Sequence, residues 1–479
     1  MKKLIVVFVT AAAALFSQAP QQQQPQSIKG VVKYNKAPVS SEVLKVKLPR
    51  PVERQLSNGL KLLVVESHRV PQISMRIVIP SGDLRDPAGT PGVSDATAAL
   101  IRLGTKTRSS KEIAETLAEL GASLTFASSS GEGTILLSSL TENFDAALAV
   151  LTDVLTNPTF PQDELDKWKT RQRSSLEQGK AQPGFMANER LFKVLYGGDA
   201  RQYTHPTTDS LNKITRDAIL EHYKTYYVPS GEWAGISGDI TPGEAVTKLN
   251  KALGAWKGGP VAHVTLPLPG QIAEKKIYLI PRANSVQTYL MAANHAIDRN
   301  SPDYIDVQVM NRVLGNGPSS RLFRIIREEK GYTYGIGSGF TAAKNFNHFT
   351  VSTSVRTDVT EPALTELLAQ FADIRDRAVP ADELADAKSA IVASFVLGLE
   401  SPGSVLSRWL EQRQYNLPED YWDTYAAKVT AVSAEDVQRV AKKYVPLDNV
   451  QIIAVGDVAK IGELLKKFGP VEEVPPDSN

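Results

Sequence analysis

Three phrases of this chain occur twice, at nearly the same distance. PQDELDKWK at Pro161 returns as PADELADAK at Pro380, Tyr227-Val228-Pro229 as Tyr444-Val445-Pro446, and Gly238-Asp239 as Gly456-Asp457. The offsets are 219, 217 and 218 residues. A near-constant offset predicts one unit of about 210 residues, used twice. Within a unit, strand patterns group together and helical patterns pack on one side of them. The fold class expected is therefore α+β: two tandem duplicated α/β sandwich domains, each an antiparallel sheet with helices packed on it. The first domain is read at 49–257 and the second at 271–468. They are joined by the linker GGPVAHVTLPLPG (258–270), and a loose tail (469–479) follows.

The N-terminus reads differently. Met1 to Ala19 combines Lys2 and Lys3, an apolar run from Leu4 to Phe16, and Ser17-Gln18-Ala19 at cleavage spacing. This predicts a secretory signal and an exported protein, periplasmic or secreted. The run is too short for a comfortable membrane span, and no later stretch reaches the roughly 18 unbroken apolar residues a span needs. Residues 20–48, with Gln21 to Gln24, read as a low-complexity linker. The chain has no cysteine, which excludes a disulfide, an iron–sulfur cluster and a thiol nucleophile. A net charge of +2 gives no footprint for nucleic acid.

Local signals fill in the first unit. Asn58-Gly59 marks a hairpin turn before the alternating Leu60, Leu62 and Val64. Ile73 to Ile79 reads as a strand and the alanine-rich Gly92 to Leu103 as a helix. Ser109 and Glu112 have the spacing of a capping box. In the second unit, SSRLFRIIREEKGYTYGIGSGF (319–340) reads as a short helix, a glycine stop and a strand. Leu322, Ile325 and Ile326 fall on one helix face, Gly331 ends the helix, and Tyr332, Tyr334 and Ile336 alternate as in a strand. Arg327 then sits in the last helical turn and Tyr334 early on the strand, where both can reach one cleft. On spacing alone the plainer account is that Arg321, Arg324 and Arg327 form a solvated stripe and Tyr334 is core.

That stretch resembles the C-terminal half of the pitrilysin/insulinase-type zinc metallopeptidases, within their two-subunit bacterial and mitochondrial-processing branch. SNGLKLLVVE, IPSGDLRDPAGTPGV, LGTKTRSSKEIAETLAELGA, the helix at Asp163 and VQTYLMAANHAI look like family phrases in family order. The resemblance implies two similar domains forming half of a clamshell. It also implies that Arg327 and Tyr334 match the family's arginine–tyrosine pair, which contacts the substrate backbone. The long glycine-rich loop of the mitochondrial non-catalytic subunit is missing; Gly315 and Gly317 make only a short one.

Catalytic members carry H-x-x-E-H on a helix. Two histidines four apart bind zinc, and the glutamate activates the metal-bound water. The resemblance places Asp95, Ala98 and Ala99 at those positions and Trp168 near the third ligand. None but Asp95 can donate to a metal. The six histidines (His68, His205, His222, His263, His295 and His348) include no pair four apart, and no G-x-S-x-G elbow occurs. The resemblance therefore implies a non-catalytic subunit of a heteromeric zinc peptidase, with no cofactor or metal and no catalytic residue of its own. Zinc is expected on a homologous partner subunit in a heterodimer, with an extended peptide as the substrate held between them. The alternative is a structural or peptide-holding relative with no role in proteolysis. An enzyme with an unrecognised site is the third reading.

Overall fold

The computed structural model describes residues 47–129, 131–229, 233–262, 264–267 and 269–475. The signal-like segment 1–19, nearly all of the 20–48 linker and His263 lie outside the described residues.

Each copy forms a six-stranded sheet. The first contains β1 (Val52–Gln55), β2 (Lys61–Glu66), β3 (Gln72–Ile79), β4 (Ser123–Ser128), β5 (Gly133–Leu140) and β6 (Trp233–Gly238), in the order β1-β2-β6-β3-β5-β4. The second contains β7 (Lys276–Pro281), β8 (Gln287–His295), β9 (Thr333–Ala343), β10 (Phe346–Arg356), β11 (Gln451–Gly456) and β12 (Val471–Glu473), in the order β12-β7-β11-β8-β10-β9. Without β1 and β12 the two orders are the same. The repeated phrases fall on matching elements. Pro161 and Pro380 precede the long helices Gln162–Lys180 and Ala381–Gly398, while Gly238 and Gly456 end β6 and β11. The five strands common to both sheets are antiparallel except for one parallel pair in each, β2 with β6 and β7 with β11. Those two strands return to the sheet only after helical crossovers, which is what parallel pairing requires.

The extra edge strands correct two boundaries. The tail was expected to be loose from 469, yet Val471–Glu473 pairs in parallel with β7, and Val474 is buried. The linker was expected to run to Leu48, yet Leu48 is 1% exposed within the second domain's core. Its N–H donates to Asp423, and the Pro49 carbonyl accepts from Trp409 Nε1 at 2.9 Å. A hydrophobic residue next to a partnered tryptophan is ordered by packing that a composition scan cannot see.

Alternation decides which sheet face is core. In β3, Ile73, Met75, Ile77 and Ile79 point to the helices of their own half and join Ile135 and Leu137 of β5. The opposite face of β2 and β6 is covered by the helix Pro402–Gln414 of the second half, which packs on Leu63 and Val65. The fit is close: a Cβ at Gly235 would lie 2.7 Å from Leu406 Cδ1. Reciprocally, the first half's helix Pro183–Tyr196 lies on Met291 and Ala293 of β8 and Ile453 and Val455 of β11. Each such large side chain contributes about 1.5–3 kcal/mol over leaving it exposed. Neither sheet is therefore covered by its own half alone. Among the described residues no single helix is long and apolar enough to cross a membrane.

Candidate functional site

Two irregularities of the backbone meet at residues 323–335. The helix predicted there is a π-helix, Phe323–Glu329, in which Lys330 N–H donates to Ile325 O at 3.0 Å. The wider turn buries Leu322 and Ile326 and leaves Ile325 half-buried, so the expected three-residue face is split. Gly331, at φ +65°, ends the helix as its sequence position suggested. On the strand side, Thr333 pairs with Val355 and Ile336 with Thr353, so Tyr334 and Gly335 together oppose Ser354. This is a β-bulge. The Thr333 hydroxyl fixes it, with Gly335 O at 2.9 Å, Ser354 O at 2.7 Å and Gly335 N at 3.1 Å.

The bulge breaks the alternation read from the sequence. Tyr332 and Ile336 pack on the core, while Tyr334 is turned out and is 85% exposed. The π-turn brings Arg327 to the same place. Its guanidinium lies 4.4 Å from the Phe323 ring centroid and 5.2 Å from that of Tyr334. Both contacts are in cation–π range. Thus Arg327 and Tyr334 come together, and Phe323 is a third member that spacing did not identify. The period-four relation of Phe323 to Arg327 was its only signal.

The other arginines of the stretch divide differently from a solvated stripe. Arg321 is 5% exposed and donates to Asp373 at 2.8 Å and to Glu383 at 2.7–3.0 Å. Arg324 donates to Glu329 at 2.6 Å. The plainer account fails at Arg321, which is a buried structural ion pair, and at Tyr334, which is surface.

Edge position gives the pair something to act on. Strand β9 has β10 on one side only. The Ser338 N–H turns away from β10 and donates to Gly315 O at 3.1 Å. By strand alternation, Ile336 presents its peptide groups to that same outer edge. Another strand can pair there, directly beside Tyr334.

The helix at the family's metal position is Val93–Leu100. It begins at Gly92, with φ +102°, where a Cβ would lie 2.5 Å from Pro206 Cγ. Asp86 caps it by accepting from Gly92 N and Ser94 N at 2.5 and 2.7 Å. Ala98 is 4% exposed and Ala99 half-buried, both apolar, and Trp168 is 3% exposed in the core that this helix shares with Gln162–Lys180. Burial raises the Asp95 carboxyl above the usual range, against the Ser128 hydroxyl and the His205 ring. One carboxylate, two alanines and a packed indole do not fit zinc. Among the described residues no group of three or more His, Cys, Asp or Glu could hold a metal ion. The described histidines have other roles. His68 lies between Glu66 and Asp239, His205 beside Glu189, His222 against Ser81, and His348 against the Tyr196 hydroxyl. His295 stands opposite His348 in the sheet, edge-on to the Tyr196 ring.

Known proteins resemble this chain over most of its length. The family model described as "Insulinase (Peptidase family M16)" matches residues 61–203, and "Peptidase M16 inactive domain" matches 213–391. The chain is 23% identical to an uncharacterized zinc protease, YmxG, of Bacillus subtilis, over 81% of this chain and 93% of that protein. It is 23% identical to the non-peptidase homolog YmxG of Helicobacter pylori, over 84% and 94%. A probable mitochondrial-processing peptidase subunit beta of Arabidopsis thaliana is 20% identical over 86% and 79%. Among solved structures, a peptidase M16 inactive domain from Pseudomonas fluorescens superposes with a TM-score of 0.79 at 27% identity, covering 85% of this chain and 98% of that one.

Proposed function

Because the chain belongs to the insulinase (M16) peptidase family yet shows no donor set for a metal among the described residues, we propose that it is the non-catalytic half of a two-chain zinc peptidase. It closes a peptide chamber against a homologous zinc-bearing subunit. The substrate is an extended peptide that adds to the outer edge of β9. Arg327 and Tyr334 donate to its carbonyl oxygens and orient it for cleavage on the partner. The signal-like Met1–Ala19 segment supports an exported, periplasmic or secreted pair.

One observation carries the reading. Tyr334 is 85% exposed, and Arg327 rests on aromatic faces rather than on a carboxylate. The π-turn and the bulge both present them outward. Such backbone features concentrate at functional sites.

The test is reconstitution on an unfolded peptide, with this chain alone, the zinc-bearing homologue alone, and both mixed. Activity of the mixture should far exceed that of the homologue alone, disappear with a chelator and return with zinc. Full activity of the homologue by itself, with no association between the chains, would remove the role. The Helicobacter pylori relative's description as a non-peptidase homolog favours a second reading, a peptide holder outside proteolysis. That reading gains if this chain binds peptide but adds nothing to cleavage.

A further inference from the structure

Beside β9 lies an open cavity of about 360 Å³ that neither Arg327 nor Tyr334 lines. Its volume is within the range of small-molecule sites. The helices Tyr304–Leu314, Ala381–Gly398 and Tyr421–Ala431 surround it, together with Gly339 and Phe340 of the strand. Its walls are aromatic: Tyr304, Phe340, Phe395 and Tyr425. The Tyr425 hydroxyl is fixed by donating to Gln308 Oε1 at 2.8 Å.

Two cations reach this cavity, Arg312 and Arg408, and among the described residues no carboxylate lines it. Arg312 makes no ion pair among those residues. Its Nη1 donates to the Asn316 carbonyl at 2.7 Å, and its Nε is buried without an acceptor. Asp382 and Asp386 line a neighbouring groove that Arg312 also borders, but neither comes within ion-pair distance of it. Arg408 lies over the Trp422 and Phe395 rings, 4.7 and 5.7 Å from their centroids. Its carboxylate contact is Glu411 at 3.6 Å, and Glu411 is already bonded to Arg299 at 2.9 Å. One acid thus serves two arginines while Arg312 has none, which leaves the cavity cationic. A half-buried cation without a counter-ion costs free energy that an anionic ligand would recover.

We propose that this cavity is a second binding site, for a carboxylate carried on an apolar body the size of an aromatic ring. A free small acid and the C-terminal residue of a peptide both have that chemistry. Arg312 and Arg408 hold the carboxylate by charge-assisted hydrogen bonds, and the aromatic walls take the apolar body. An anion with no apolar body gains only the first set of contacts, and a neutral ring only the second. The site is independent of the β9 edge site, so either can fail alone.

Titration calorimetry on the full chain tests both requirements. N-acetyl-phenylalanine should bind at least about tenfold more tightly than N-acetyl-phenylalaninamide, which lacks the charge, and than acetate, which lacks the ring. Arg312→Gln should bring the acid down to the level of the amide. Ser394→Trp, at an exposed position of the cavity wall, should block entry while both arginines stay in place. A thermal melt checks that each variant is folded. Two peptides of one sequence ending in phenylalanine, one with a free and one with an amidated C-terminus, separate the sources. Binding of the free-ended peptide alone makes a chain end the ligand; binding of N-acetyl-phenylalanine but of neither peptide confines the site to small acids. Equal binding of the acid and its amide, binding that both variants leave unchanged, or no binding of the acid at all would overturn the proposal.

Discussion

At the scale of single residues, Arg321 and Arg327 make a controlled pair. They stand six positions apart, share a side-chain type, and differ in what surrounds them. Arg321 is buried between Asp373 and Glu383, so Arg321→Ala leaves Glu383 without its cation and Asp373 with only the exposed Arg377. Breaking a buried pair in this way costs about 3–5 kcal/mol, and a clear drop in Tm is expected. The Arg327 guanidinium rests on two rings and forms no ion pair among the described residues, so Arg327→Ala should leave Tm nearly unchanged. It should nevertheless lower kcat/KM of the reconstituted pair about 10- to 100-fold, as befits a lost charged donor. Tyr334→Phe should cost less, because its hydroxyl is a neutral donor. A large fall in Tm for Arg327→Ala, with normal activity per folded complex, would make Arg327 structural after all.

At the scale of elements, the site depends on how one turn and one strand are wound. The Thr333 hydroxyl has four hydrogen-bond contacts at the bulge, one of them from the Thr353 hydroxyl, which also lies 3.0 Å from Gly335 O. Thr333→Val keeps the shape and β-branching but removes the hydroxyl. A loss of about 1–2 kcal/mol is expected, since net hydrogen bonds contribute about 1 kcal/mol each. Tyr334 should lose its fixed aim, so peptide affinity should fall even though Arg327 and Tyr334 are both present. Measuring affinity and Tm together separates this from simple unfolding: affinity at a temperature well below Tm should still be reduced. Other elements follow their local sequence. Ser109 and Glu112 form the capping box read from their spacing, and Pro161 and Pro380 stand at the N-caps of equivalent helices.

For the whole molecule, the exchanged helices imply that the halves fold together. A chain ending in the 258–270 linker would expose Leu63 and Val65, which the Pro402–Gln414 helix covers. Expressed alone, 49–257 should aggregate; co-expressed with 271–479, it should be recovered as a soluble complex. Soluble, monomeric 49–257 with a sharp melt would contradict the packing. Acid response is also a property of the whole. Burial holds His222 and His348 at about 4, against 6.5 for a solvated imidazole. The unfolded chain therefore binds protons that the folded one refuses. This contribution is full above pH 6.5 and is lost as pH falls towards 4, by about 3 kcal/mol per histidine. Asp83 and Asp86, raised by burial to about 6 and 7, have the opposite sign. Their contribution is full below 3.8 and is lost as pH rises through 6 and 7. The two effects oppose each other across the acid range. His222→Gln should make Tm rise, relative to wild type, on going from pH 7 to 4.5, and Asp83→Asn should make it fall. Parallel Tm profiles for all three proteins would show that these groups do not set the acid response.

The sequence by itself determined what depends on spacing and side-chain type. Repeated phrases at a fixed offset required a duplicated fold, because similar local signals build similar elements in the same order. Ala98, Ala99 and Trp168 cannot hold zinc in any conformation, because they lack lone pairs that bind a cation strongly. Arg327 and Tyr334 could be selected, but whether they faced outward could not. Period-two reading placed Tyr332, Tyr334 and Ile336 on one side, and only a bulge pinned by Thr333 and Thr353 from different strands turned Tyr334 out. Arg321 looked like surface because its two carboxylates lie 52 and 62 residues away along the chain. Leu48 and Val471–Glu473 looked loose for the same reason: their partners are the second half's helices and β7. Tertiary structure decided whatever depends on contacts between distant segments, where hydrogen-bond register and burial, rather than local propensity, set the free energy.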